Sequence, residues 1–122
     1  MEIIKTDKAP KAIGPYSQGI IAGDFIYTSG QLGINPTTGE LANDIASQAH
    51  QAFKNIGEIL KAAGSSYSKV VKTTVFVKNI GDFGLINEIY SQYFISNPAR
   101  SLVEVSNLPK NALIEIEIVS TL

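Results

Sequence analysis

The sequence predicts an α+β fold in which two helices cover one face of a mixed β-sheet. Three observations lead to this fold class. Segments with strand character stand early, in the middle and at the end of the chain, two helical segments separate them, and no internal repeat or low-complexity tract interrupts the order. The 122 residues have room for one hydrophobic core, so we assign residues 1–122 to a single domain.

A β-hairpin is the first predicted element. Two short apolar runs, 20–22 and 25–28, flank Gly23-Asp24, and a two-residue turn that begins with glycine is typical of a tight hairpin. The segment 35–39, with the sequence NPTTG, is rich in turn-forming residues. It predicts a loop before the first helix.

Two amphipathic helices follow. The first is predicted from residue 43 or 44 to residue 63, because apolar residues recur at intervals of three and four and Gly64 follows as a C-terminal stop. The second is predicted over residues 82–94, with Asp82 as its N-cap. Pro98 ends any continuation of this helix because its ring removes a hydrogen-bond donor.

Three further strands are predicted over residues 69–78, 100–105 and 112–119. Alternation sorts their side chains into two faces. In the first of them, one face carries Val71, Thr73, Val75 and Val77, and the other carries Val70, Lys72, Thr74 and Phe76. In the last two, Ser101, Val103 and Val105 are expected with Ile114, Ile116 and Ile118, and Arg100, Leu102 and Glu104 with Leu113, Glu115, Glu117 and Val119. Both faces carry apolar groups, which favours burial against another copy in a homo-oligomer.

Composition narrows the function classes. Lys+Arg total 10 and Asp+Glu 11, and scattered lysines with a net charge of -1 disfavour nucleic acid and anionic membranes as partners. The absence of cysteine and the single His50 disfavour a metal site. The sequence also contains no phosphate-binding or dinucleotide-binding motif, so we expect no bound cofactor. The first ten residues do not resemble a secretory signal, and no apolar stretch approaches 18 residues, so we expect a cytoplasmic protein.

Arg100, the only arginine among ten basic residues, is the first candidate for chemistry. Its planar fork can bind a carboxylate through two parallel hydrogen bonds, which a lysine cannot do. Glu115 and Glu117 point to one side of a predicted strand, and a carboxylate near a guanidinium can stay ionised and deprotonate a water. The alternatives are a surface arginine paired with Glu104 and two glutamates that only keep an outer face wet.

Two loop segments are weaker candidates. Tyr16 follows Gly14-Pro15 and could cap a small pocket, although a tyrosine in this position is more often only a packed loop residue. Ser29-Gly30 ends the hairpin, where backbone N–H groups could meet a polar ligand. His50 lies beside the apolar stripe of the first helix, as expected for a boundary residue.

Taken together, five segments resemble the reactive intermediate deaminase family, also known as RidA-type or YjgF-like proteins, over essentially the whole chain. These segments are IGPYSQ at 13–18, YTSGQ at 27–31, VKTTVFV at 71–77, PARS at 98–101 and IEIE at 114–117. The resemblance implies a chorismate-mutase-like fold that assembles as a homotrimer, with active sites between subunits.

Roles for individual residues also follow from the resemblance. Arg100 is expected to bind the substrate carboxylate and Glu115 to position the attacking water. Pocket positions and weaker candidates are Tyr16, Ser29, the N–H of Gly30, Asn87 and the backbone of Leu102. Leu102 stands where the family often has cysteine, and the connection before Pro98 is shorter than usual, so we expect an altered pocket wall.

The function implied by the resemblance is hydrolysis of 2-iminobutanoate and 2-iminopropanoate to 2-keto acids and ammonia, without metal or organic cofactor. Two alternatives stay open. The first is a non-catalytic trimer that binds small carboxylates, which requires Arg100 but not Glu115. The second is an RNA-cleaving or translation-inhibiting protein, which the near-neutral charge disfavours.

Overall fold

The computed structural model describes residues 1–122 and contains seven strands and two α-helices. The strands are β1 Glu2–Ile4, β2 Gly19–Ala22, β3 Phe25–Thr28, β4 Gln31–Leu32, β5 Val70–Val77, β6 Ala99–Glu104 and β7 Ile114–Thr121. The helices are α1 Ile45–Ala62 and α2 Phe83–Tyr93. Neither helix is both long enough and apolar enough to cross a membrane.

All the strands belong to one mixed sheet. Its order is β1-β2-β3-β7-β5-β6, and the short β4 also pairs with β7. Every pairing is antiparallel except that of β5 with β6, which are parallel. A parallel pair needs a crossover connection, and α2 provides it. The order of elements and the mixed sheet confirm the α+β fold class.

Helix α1 begins and ends where the sequence predicts. The Asp44 carboxylate accepts from the backbone N–H of Ser47 at 2.7 Å, which caps the helix and, as the leading cause, lowers the pKa of Asp44. At the other end Gly64 adopts a φ of 79° and donates to the Lys61 carbonyl at 3.0 Å. Glycine reaches this left-handed conformation without the Cβ penalty that other residues meet.

The main core lies between the two helices and the central strands. Phe53, Ile56 and Leu60 of α1 and Ile86 of α2 have no exposed surface. They pack in one cluster with buried residues of β5 and β7, including Val75, Val77, Ile114, Ile116 and Ile118. Each buried aliphatic or aromatic side chain stabilises the fold by about 1.5–3 kcal/mol relative to its exposed state. The helices are therefore held to one face of the sheet.

The start of α2 differs from the prediction. Asp82 occupies the N-cap position, but its side chain makes no capping hydrogen bond. A short 3-10 turn, Ile80–Asp82, runs directly into the helix and gives Asp82 φ and ψ of -81° and 2° instead of the extended geometry of a capping residue. The carboxylate is therefore not turned back toward the first helical N–H groups.

The predicted alternation in β5 is wrong at its first two residues. A register shift lies between Val70 and Lys72, so Val70 is buried and Val71 is exposed. From Thr73 onward the alternation follows the prediction. A bulge of this kind inserts one residue and changes the phase of the side chains before it.

The predicted faces of β6 are also wrong. Arg100 lies opposite Thr73, and Leu102 opposite Val75, in the parallel β5–β6 ladder. Thr73 and Val75 are buried beneath the helices, so Arg100 and Leu102 lie on the helix-covered face. Glu115 pairs with Phe76 on the other face. Arg100 and Glu115 of one chain therefore lie on opposite faces of the sheet.

No helix covers the second face, which we call the open face. Alternation and pairing place Ser101 and Val103 of β6 there, with Glu115, Glu117 and Val119 of β7. Phe25 and Tyr27 of β3 lie on the same face and are exposed to 41% and 47%. The open face is thus a broad surface that mixes apolar and acidic groups.

Replacing Gly57 with alanine should destabilise the fold, because the added methyl group would collide with the Tyr67 hydroxyl. That hydroxyl donates to the Phe53 carbonyl at 2.9 Å. We expect the free energy of unfolding to fall by about 1–3 kcal/mol, as for other overpacked sites.

The matched control is Gly84→Ala in α2, where nothing lies within 4 Å of the added Cβ. The helix propensity of alanine should raise the free energy of unfolding there by up to about 1 kcal/mol. Urea denaturation at one protein concentration measures both variants, and equal stabilities would contradict the close approach of Tyr67 to α1.

Candidate active site

A cleft of about 630 Å³ lies beside the start of β7. Its lining includes the predicted site residues Tyr16, Gly30 and Glu115, together with Lys11 and Lys110. We call it the Glu115 cleft. Its walls come from the loop before β2, the β4 segment with the turn after it, and the turn before β7. Residues far apart in the sequence thus form one concave surface that contains a carboxylate.

The carboxyl group of Glu115 lies close to Gly30 at the wall of this cleft. A Cβ added to Gly30 would lie 2.7 Å from Cδ of Glu115, so no larger residue fits without moving the carboxyl group. Glu115 is half-buried, and loss of hydration, followed by repulsion from Glu117, raises its pKa. A carboxyl group with a raised pKa beside an open cleft is suited to exchange protons with a ligand or a water.

Tyr16 and Ser29 lie close to the same loop but have different roles. Tyr16 is 52% exposed and lines the cleft. The Ser29 hydroxyl donates to the Ser17 carbonyl at 2.5 Å, and the Ser29 N–H donates to the Gln18 carbonyl at 2.9 Å. In this structure Ser29 therefore fixes the loop that carries Tyr16.

Arg100 is the centre of a second group of residues, which we call the Arg100 cluster. Its Nη1 donates to Oδ1 of Asn87 at 2.7 Å. Its Cζ lies 4.8 Å from the ring centroid of Tyr90 and 5.6 Å from that of Phe83, distances typical of cation–π contacts. Asn87, a weak candidate from the sequence, thus does lie with Arg100.

Phe83 and Tyr90 were not predicted as site residues. They stand four residues before and three residues after Asn87, spacings that bring side chains to one side of a helix. This spacing was the signal in the sequence from which their position next to Asn87 could have been predicted. Leu102 instead packs against the main core, so its side chain belongs to the fold and not to the Glu115 cleft.

The structure brings the predicted residues together in two groups. Tyr16, Gly30 and Glu115 share the Glu115 cleft, whereas Arg100 lies under α2 and bonds to Asn87 of that helix, on the other side of the sheet. Arg100 does not line the Glu115 cleft of its own chain. One chain therefore presents a carboxylate and a guanidinium at two separate places.

The remaining candidate, His50, connects the two helices. Its Nδ1 lies 2.7 Å from the Tyr93 hydroxyl, and the two rings meet edge to face at 5.7 Å. This is the boundary role expected for it. No three His, Cys, Asp or Glu side chains are grouped so that they could hold a metal ion.

Residues 6–122 match the family described as Endoribonuclease L-PSP. A Homo sapiens protein named 2-iminobutanoate/2-iminopropanoate deaminase is 54% identical over 120 residues, which cover 97% of this chain and 88% of the relative. An Arabidopsis thaliana protein named Reactive Intermediate Deaminase A, chloroplastic, is 50% identical over 123 residues, covering 99% and 66%. The chain belongs to the reactive intermediate deaminase family.

A solved structure of the same fold supports this assignment. The crystal structure of Escherichia coli TdcF with bound serine has a TM-score of 0.96 and 42% sequence identity, and covers 100% of this chain and 99% of TdcF. The family resemblance drawn from the five sequence segments is therefore confirmed, together with the mixed sheet and two helices that it implied.

Replacing Glu117 with glutamine should lower the pKa of Glu115, because it removes the repulsion between two carboxylates on one strand face. Desolvation, the larger cause, would remain, so we expect a partial return toward the ordinary value. Carbon-13 NMR titration of the Glu115 carboxyl measures the change. Glu88→Gln on the exposed side of α2 is the control, and an equal response to both substitutions would contradict the assignment.

Proposed function

We propose that the protein hydrolyses 2-imino acids, including 2-iminobutanoate and 2-iminopropanoate, to 2-keto acids and ammonia. The observation that carries the proposal is the half-buried Glu115 carboxyl at the wall of an open cleft, with a raised pKa. The name of the human relative points to the same chemistry. The substrate is already electrophilic at its C=N carbon, so positioning and proton transfer are the main requirements.

Arg100 is the proposed binding group for the substrate carboxylate. Asn87 takes one N–H of the guanidinium, which leaves further donors of the planar fork for two parallel hydrogen bonds. The rings of Tyr90 and Phe83 also lie near the guanidinium, with their centroids 4.8 Å and 5.6 Å from its Cζ. A small carboxylate is the ligand that this arrangement recognises best.

Glu115 is the proposed general base. In its ionised form it accepts a proton from a water molecule as the water oxygen bonds to the C=N carbon, and it then returns this proton to the nitrogen, which gives a neutral carbinolamine. The carbinolamine collapses as the C–N bond breaks and a C=O bond forms: the hydroxyl proton passes through the Glu115 carboxylate to the nitrogen, and ammonia leaves. Tyr16 and the N–H of Gly30 are proposed to orient this intermediate.

We further propose that the chain forms a homotrimer in which each active site takes Arg100 from one subunit and Glu115 from its neighbour. Two observations support this. Arg100 and Glu115 of one chain lie on opposite faces of the sheet, and the open face exposes large apolar groups such as Phe25 and Tyr27. Apolar surface of this kind is typical of a contact between subunits.

Arg100→Ala should raise KM strongly because it removes the carboxylate ligand, and Glu115→Gln should lower kcat by about a hundredfold or more because it removes the base. The assay couples a threonine dehydratase to the protein and follows 2-keto acid formation with a trapping amine present. Glu88→Gln is the control for a change of charge.

Two results would replace the proposal with another function. Ligand binding that depends on Arg100, with no acceleration by any variant, would indicate a carboxylate-binding protein without catalysis. Binding or cleavage of RNA that persists at moderate salt in nuclease-free protein, and is lost with Glu115→Gln, would favour the endoribonuclease description of the family.

Mixing the two impaired variants should restore part of the wild-type activity if the sites lie between subunits. Random assembly of equal amounts of Arg100→Ala and Glu115→Gln chains gives about a quarter of the sites an intact arginine and an intact glutamate. The measurement is keto acid formation after joint refolding, with separately refolded variants as the control. No recovery from mixed trimers would mean that each site lies within one subunit.

A further inference from the structure

We propose that Tyr90 is a positioning residue for Arg100, with its ring supporting the guanidinium and its hydroxyl anchored to Thr73. The inference rests on the proposed role of Arg100 as the carboxylate ligand. It goes beyond that role because Tyr90, which packs in the main core, is assigned an action on the arginine and not on the substrate.

The ring of Tyr90 is fixed on several sides. It is only 8% exposed, it lies 4.6 Å from the ring of Phe94 at an interplanar angle of 33°, and it meets Phe53 edge to face at 5.9 Å. Arg100 Cζ lies 4.8 Å from the same ring. The guanidinium therefore contacts a ring that has little freedom to turn away.

Thr73 fixes the other end of the tyrosine. Its Oγ1 lies 2.7 Å from the Tyr90 hydroxyl, and both groups are buried. Thr73 is also the direct partner of Arg100 in the β5–β6 ladder. Tyr90 thus contacts the side chain of Arg100 with its ring and Thr73 with its hydroxyl. Because Thr73 also pairs with the backbone of Arg100, the same residue fixes the position of both the ring and the arginine backbone.

Arg100 needs such support because β6 is an edge strand with β5 as its only neighbour. A free arginine side chain has several rotatable bonds, and ordering it on binding costs conformational entropy. Asn87 holds one end through a single hydrogen bond. The Tyr90 ring adds a cation–π contact 4.8 Å from Cζ, and the guanidinium N–H groups that Asn87 does not accept are left for a carboxylate.

Four variants test the proposal. Tyr90→Leu removes the ring, Tyr90→Phe keeps the ring and removes the hydroxyl, and Thr73→Val removes its partner. The matched control is Tyr93→Leu, which removes an aromatic residue that packs on Phe53 and bonds His50 without a contact to Arg100. The probe is 2-ketobutanoate, and its binding to each assembled variant is measured by isothermal titration calorimetry.

We expect Tyr90→Leu to weaken binding of 2-ketobutanoate about tenfold, an effect between those typical of exposed and of fully desolvated cation–π contacts. KM for the imine should rise by a similar factor while kcat changes little. Tyr90→Phe should retain most of the affinity because the ring remains, with Thr73→Val between the two. Tyr93→Leu should bind as the wild type does, even where it lowers the melting temperature.

A double substitution separates positioning from general packing. If Tyr90 acts through Arg100, Tyr90→Leu added to Arg100→Ala should weaken binding no further than Arg100→Ala alone. Wild-type affinity in folded Tyr90→Leu, an equal loss in Tyr93→Leu, or a further loss in the double variant would each overturn the proposal.

The same measurements keep this inference apart from the proposed function. If the wild type binds 2-ketobutanoate through Arg100 but does not accelerate imine hydrolysis, the proposed function fails and the positioning role is still decided by binding. If Arg100→Ala binds as well as the wild type, the carboxylate ligand has been assigned wrongly and Tyr90 has nothing to position.

Discussion

The parallel pairing of β5 with β6 is the constraint on which the arrangement of functional groups depends. β5 pairs with β7 on one side and β6 on the other, so its register fixes both strands that carry candidate chemistry. Thr73 pairs with Arg100, and Phe76 pairs with Glu115. Since neighbours along β5 alternate between faces, these two pairings send the guanidinium beneath α2 and the carboxylate to the open face.

The position of Glu115 also lowers the stability of the fold when its carboxyl group is ionised. Burial first, and then Glu117, raise the pKa of Glu115, so the folded protein holds this proton more tightly than the unfolded chain does. As pH rises through the ordinary carboxyl range, the unfolded chain loses the proton first, and the fold becomes relatively less stable. The ionised form that a general base requires is therefore the form that the fold disfavours, which is a frequent compromise at active sites.

Much of the fold could be read from the sequence because its helices have strong local signals. The Asp44 cap and the Gly64 stop define α1, and Gly23 marks the hairpin. The faces of β6 could not be read, because Leu102 and Val103 are both apolar and alternation alone does not say which phase lies under α2. The bulge after Val70 had no signal, since residues 70 and 71 are both valine.

The candidate site was predictable in its residue types but less so in their grouping. Arg100 and Glu115 stood out as chemical groups, whereas their separation follows from pairing between strands distant in sequence. Tyr90 looked like another core aromatic, and only the structure reveals that its two ends meet Arg100 and Thr73.

Because Arg100 and Glu115 lie on opposite faces of the sheet, assembly would also control activity. Under the proposed arrangement a newly made chain has no complete site and stays inert until it meets its partners. At low expression, catalytic activity would then rise more steeply than the concentration of chains. Each subunit would also contribute residues to two different sites, so damage to one chain would inactivate sites that it shares with both neighbours.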